Sequence, residues 1–126
     1  MLRSQVLIPI FAAAALAGCT QAPQAPSDVG VCYHLAKMEG SKATFNVVAS
    51  NVPDMEHCAA DLEGMRVRFL QLGGSEHDLT GAYQGNFIFL QQEGVFTSAK
   101  LDGIRYPFLV RTGDGRLAQP GAMPAQ

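Results

Sequence analysis

The chain has 126 residues, 9 Lys+Arg against 11 Asp+Glu, a formal charge of −2 and 48% hydrophobic residues. That length accommodates one domain with a modest core, and the slightly acidic balance excludes the basic excess a nucleic-acid binder needs. Three cysteines and no tryptophan complete the bounds.

Met1 to Gly18 reads as a processing segment. Arg3 and the free amino terminus are basic, and Val6 to Ala17 is apolar except for Pro9. This run of about 12 residues falls short of the roughly 20 that a spanning helix requires. Leu16-Ala17-Gly18-Cys19 follows it directly. Residues 1–20 therefore resemble the signal peptide and lipobox of bacterial lipoproteins. The resemblance implies lipidation at Cys19, which becomes the mature amino terminus and the membrane anchor. Thr20 after the cysteine, instead of an aspartate, implies sorting to the outer membrane, facing the periplasm. Ala15-Leu16-Ala17 also fits an ordinary A-x-A cleavage site, which would release an unanchored protein. Loss of Arg3 with the signal peptide makes the mature chain one charge more negative.

Residues 19–30 read as lipid anchor and tether. Gln21-Ala22-Pro23 recurs as Gln24-Ala25-Pro26. Extended at about 3.1 Å per residue, such a segment holds a domain up to roughly 30 Å from the lipid. Residues 31–118 read as one domain, and 119–126, with two prolines and a glycine, as a disordered tail.

Within the domain, Val31 to Ala36 alternates as a strand, with Cys32 and His34 facing opposite to Tyr33 and Leu35. Glu39-Gly40-Ser41 turns the chain into Ala43–Ala49, where Phe45, Val47 and Ala49 share a face. A helix is expected from Val52 to Leu72, capped by Asn51, with Pro53 in its first turn. Met55, Cys58, Leu62, Met65, Phe69 and Leu72 make its apolar stripe, Gly73-Gly74 stops it, and Gly64 permits close approach to a sheet. Glu56, Asp61, Glu63 and Arg68 form its solvated face. Strands follow at Tyr83–Gln91, Val95–Lys100, Ile104–Val110 and Arg116–Ala118. Asp102-Gly103 is a hairpin signal, and Pro107 marks an edge or a bulge. The fold class is α+β: a single helix packed on one face of an antiparallel sheet, in the order β-β-α-β-β-β(-β).

Chemistry is sparse. Cys32 and Cys58, an even pair in an oxidising compartment, are expected to form a disulfide; two free buried thiols are the alternative. Cys32, His34, His57 and Cys58 have the types of a Cys2His2 zinc set, but adjacent helical residues point about 100° apart, so no metal site is expected. Ser75-Glu76-His77-Asp78 contains triad residue types in one loop, where neighbours rarely converge. Gly113-Asp114-Gly115 resembles half a calcium loop and reads as a turn. No catalytic residues and no cofactor are expected. Phe87/Phe89 and Ile88/Leu90 point to opposite faces, so one pair requires a cover other than the helix: a partner, the tail, or a sheet curled enough to bury both sets. The partner-binding residues expected beside that uncovered face are Tyr83, Asn86, Arg105 and Tyr106. The sequence points to a non-catalytic cell-envelope lipoprotein that contacts the membrane through its anchor and binds an envelope protein or a cell-wall component. The alternative is a small inhibitor or immunity-type lipoprotein acting on a lytic enzyme. An exposed Ser- or His-bearing loop favours the alternative; a broad apolar sheet face favours the first.

Overall fold

A computed structural model describes residues 22–121. The expected signal peptide, the lipidated Cys19 and the last five residues of the expected tail lie outside that range. Seven strands and one helix follow in chain order: β1 (Cys32–Glu39), β2 (Lys42–Ala49), α1 (Met55–Gln71), β3 (Leu79–Tyr83), β4 (Asn86–Gln91), β5 (Gly94–Ser98), β6 (Tyr106–Arg111) and β7 (Leu117–Ala118). They form one antiparallel sheet in the order β2-β1-β3-β4-β5-β6-β7. The helix packs on one face, so the class is α+β.

Five strands follow the helix, against the expected three or four. Tyr83, expected to open a strand running to Gln91, instead closes β3; the chain turns at Gln84-Gly85 into β4, with Tyr83 opposite Asn86. Both turn residues have positive φ, 42° and 84°. That is the geometry of the tight turns that join right-twisted strands. Glutamine is an unusual residue for it, which is why the turn is poorly marked. Conversely, Asp102-Gly103 does not make a two-residue hairpin. β5 ends at Ser98, and the connection runs through to Arg105. Pro107 sits opposite Phe96, next to a bulge between Val95 and Phe96, and beyond the reach of β7. A strand position lacking a donor is tolerated there.

The helix starts later than Asn51 suggests. Asn51 adopts a left-handed conformation, φ 56°. Val52 uses its N–H on the Gly30 carbonyl (2.8 Å) and accepts the Tyr83 hydroxyl at its own carbonyl (2.6 Å). Its backbone is committed to Gly30 and to the Tyr83 hydroxyl, so Pro53 precedes the helix and Asp54 caps it, its Oδ1 accepting from His57 N–H at 2.8 Å. At the other end, Gly73 (φ 90°) donates to Leu70 and Gly74 donates to Phe69. This paired closure satisfies the last carbonyls.

The helix side of the sheet carries the larger core: Cys32, Val52, Cys58, Ala59, Leu62, Ile88, Leu90, Val95 and Leu109. Cys32 and Cys58 are joined, with sulfurs 2.00 Å and Cα atoms 5.3 Å apart. The close approach expected at Gly64 occurs at Gly81 instead. A Cβ on Gly81 would lie 2.3 Å from Leu62 Cδ1 and 2.6 Å from the Tyr33 carbonyl, while Gly64 has open space. A bulge between Cys32 and Tyr33 shifts the register, so Ala49 turns to the helix-side core and leaves the face of Phe45 and Val47.

The second sheet face is not open. Phe87 and Phe89 are fully buried there with Ala25 and Ala82, flanked by Tyr33, Phe45, Phe96 and Leu101. Part of the cover comes from residues expected to be tether. Ala25 is buried, Pro26 accepts Gly85 N–H at 2.8 Å, Asp28 accepts the Tyr33 hydroxyl at 2.7 Å, and Gly30 N–H reaches Gln84 Oε1 at 2.8 Å. Ala22–Gly30 is therefore part of the domain.

Candidate functional site

The four expected contact residues do not converge. Tyr83 is only 5% exposed and belongs to the helix-side core, its hydroxyl bonded to Val52. A tyrosine so satisfied is a core residue and not a surface anchor. The Arg105 guanidinium lies 3.8 Å over the Phe89 ring and closes the second face. Asn86 and Tyr106 are exposed. Tyr83–Asn86 and Ile88–Thr97–Tyr106 are cross-strand neighbours, so Asn86 and Tyr106 lie on the helix side, away from Arg105. The premise of an uncovered apolar sheet face fails because the amino-terminal segment covers it.

The disulfide removes both sulfurs from the Cys2His2 alternative. His57 stands exposed on the helix, its Nδ1 2.6 Å from Asp54. That contact raises the His57 pKa above its ordinary value, and the same His57 bonds, backbone first, lower that of Asp54. His34 lies on β1, and burial lowers its pKa, opposed by the charge of Glu76. Asp114 accepts from the Thr112 hydroxyl and Arg116 N–H, which lowers its pKa and fixes the 113–115 turn into β7. Its carboxylate is thus engaged as a turn brace.

One expected surface group is buried. Glu63, read as solvated, is 4% exposed. Arg111 grips it with Nε to Oε1 at 2.8 Å and Nη2 to Oε2 at 2.9 Å, and Arg66 Nη1 reaches Oε1 at 3.0 Å. Arg66 Nε also donates to the His77 carbonyl at 2.5 Å, and Arg111 Nη1 to the carbonyls of Gln91 and Gln92. A single carboxylate thus ties helix, β6, the β4–β5 turn and the loop before β3. Paired and fully bonded burial is the condition under which such a charge is tolerated. The sequence signal was weak: Glu63 and Arg66 are three apart on the helix, but Arg111 is remote.

The same bonds brace an exposed segment. Leu72 to Asp78 is exposed throughout, Leu72 by 87%. The apolar stripe of the helix accordingly ends early: Met55 to Met65 meets the core, Phe69 is 51% exposed, and Leu72 faces water. Behind the loop, His34, Phe69, Gly74, Glu76 and Leu79 line a pocket of about 220 Å3. Its wall is mainly apolar and its rim acidic, with Glu76 and Asp78 free of ion pairs among the described residues. Glu93 of the β4–β5 turn borders the far side of the loop with Glu76 and Asp78. The pocket is smaller than the 300–1,000 Å3 of typical ligand sites and suits a single side chain. No hydrogen bond joins the side chains of Ser75, His77 and Asp78 among the described residues. No helix among them is long and apolar enough to cross a membrane. No protein family, curated protein or solved structure matches the chain.

Proposed function

We propose that this protein is a non-catalytic lipoprotein of the bacterial cell envelope, anchored through Cys19 and facing the periplasm, whose domain binds a protein or cell-wall component through the Leu72–Asp78 loop. The observation that carries the contact surface is that loop itself. It is exposed along its whole length, yet held by Arg66 at His77 and by the helix-terminal bonds of Gly73 and Gly74. A loop ordered before contact binds without a large ordering cost. The Cys32–Cys58 disulfide supports export to an oxidising compartment. The lipobox residues support the anchor.

The test has two parts. Mass spectrometry of the mature protein from its host should find acyl chains on Cys19, and a free terminus would sink the anchor. A photo-crosslinking residue at Ser75 should trap one defined envelope component in intact cells, while the same residue at Asp61, on the exposed helix face, should not. Equal trapping at both positions would overturn the placement.

A second reading is favoured by the same loop, because Ser75 and His77 stand on it. It makes the protein an inhibitor or immunity-type lipoprotein whose loop enters the cleft of a lytic enzyme. The purified domain should then slow wall lysis by that enzyme, and Ser75→Ala with His77→Ala should abolish the effect. Undiminished lysis rejects this reading.

A further inference from the structure

The tether expected to lift the domain off the membrane is instead packed against it, and this constrains orientation. From Ala22 onward the chain belongs to the domain, with Ala25 buried under the second sheet face and Pro26 bonded to Gly85. Cys19 and Ala22 are separated by three peptide units. At 3.8 Å between successive Cα atoms, the maximum reach is about 11 Å.

The domain has two ends, set by the strand directions. The Gln84-Gly85 turn, the Ala99–Arg105 connection and the docked amino-terminal segment gather at one end, where Ala22, Pro23, Gln24, Gly85, Lys100 and Asp102 border a common depression. The Leu72–Asp78 loop and the Gln92-Glu93 turn gather at the other. β3, five residues long, runs between the two ends, which are therefore roughly 15 Å or more apart.

We infer that the end carrying Ala22, Gly85 and Lys100 rests on the lipid surface, and that the Leu72–Asp78 end projects away from it. This rests on the lipoprotein reading of Cys19. The short leash brings only that end within reach of headgroups. Exposed apolar side chains occur at both ends, Phe69 and Leu72 at the far one, so the leash and not the surface selects between them. Val29 is 88%, Ile104 76% and Tyr106 60% exposed. Val29 lies on the docked segment, and Ile104 and Tyr106 lie on the β5–β6 connection and the first residue of β6. Aliphatic and tyrosine side chains at headgroup level gain from partial burial there. The orientation leaves the proposed contact loop unobstructed.

The experiment uses the full-length acylated protein in vesicles of zwitterionic and anionic phospholipid that contain a spin-labelled headgroup. A fluorescent amino acid is placed singly at positions 29, 104, 76 and 93. Fluorescence should be lost at 29 and 104 and retained at 76 and 93. Equal loss at all four, loss confined to 76 and 93, or no loss at any with Cys19 acylated, overturns the orientation alone. Absence of acyl chains on Cys19, read by mass spectrometry of the same preparation, overturns the lipoprotein reading together with the orientation. Positions 29 and 104 are independent probes on separate segments, so a misfolded variant at one leaves the other decisive.

Discussion

Single residues decide how tightly the two layers meet. Gly81 lets Leu62 lie directly on β3. Gly81→Ala forces a methyl group into Leu62 and the Tyr33 carbonyl, and should lower stability by roughly 1–3 kcal/mol, read from denaturant midpoints. Glu63 is the counterpart among polar residues. Glu63→Ala leaves Arg66 and Arg111 without their shared partner in a mostly buried setting. Breaking a buried pair costs about 3–5 kcal/mol, and the partial exposure of Arg111 argues for the lower end. The same substitution should loosen the Leu72–Asp78 loop, because Arg66 reaches His77 from its pairing with Glu63. Faster amide exchange across residues 73–78 checks it. Unchanged exchange would show that the loop is held by the helix terminus alone.

At the scale of the element, the helix start is the clearest case. Asp54 accepts from His57 through both backbone and ring. Asp54→Ala should lower the thermal midpoint as a lost cap. The pH dependence has two signs. The Asp54 pKa is lowered on folding, so its contribution is present above the ordinary carboxylate range and is lost as pH falls through the lowered value. The His57 pKa is raised, so its contribution is full below about 6.5 and is lost as pH rises through the raised value. His34, lowered by burial, acts in the opposite sense: stability falls as pH drops from about 6.5 toward its folded value. His57→Ala should therefore remove the stabilising part of the acidic-side response and leave the His34 loss, seen as a steeper fall in thermal midpoint between neutral and mildly acidic pH. An unchanged profile would mean that the Asp54–His57 contact is absent in solution.

For the whole molecule, the disulfide is the main covalent constraint among the described residues. It closes a separation of 26 residues and joins the first strand to the helix. Cys58→Ala should lower stability by roughly 2–4 kcal/mol, and a reductant should lower the thermal midpoint of the native protein but not of that variant. The fold around it distributes two small cores over the two faces of one sheet, because neighbouring strand residues point to opposite sides. The amino-terminal segment supplies the missing cover. Removing residues up to Gly30 should expose Phe87 and Phe89, increase binding of a hydrophobic dye and promote association. A monomeric, dye-negative truncate would show that Arg105, Phe96 and Leu101 suffice.

The sequence by itself determined what depends on local pattern. Alternation placed β1 and β2, the stripe from Met55 to Met65 placed the helix and its buried face, Gly73-Gly74 placed its end, and cysteine parity placed the disulfide. These follow from periodicity and backbone chemistry within a few residues. Tertiary structure alone decided what depends on register and on distant partners. Glu63 looked solvated because its partner Arg111 is remote in the chain. Tyr83 looked like a surface anchor because Val52, which accepts its hydroxyl, lies before the helix. Ala22–Gly30 looked like a free tether because its residues offer little to bury. What holds them is one backbone bond and one side-chain bond to a turn, Gln84-Gly85, that composition barely marks. The opposed pairs Phe87/Phe89 and Ile88/Leu90 correctly demanded a second cover. Only the packed chain showed that the cover is the protein's own amino-terminal segment, since a segment's fit to a sheet face depends also on the shape of that face, which the segment's own residues do not reveal.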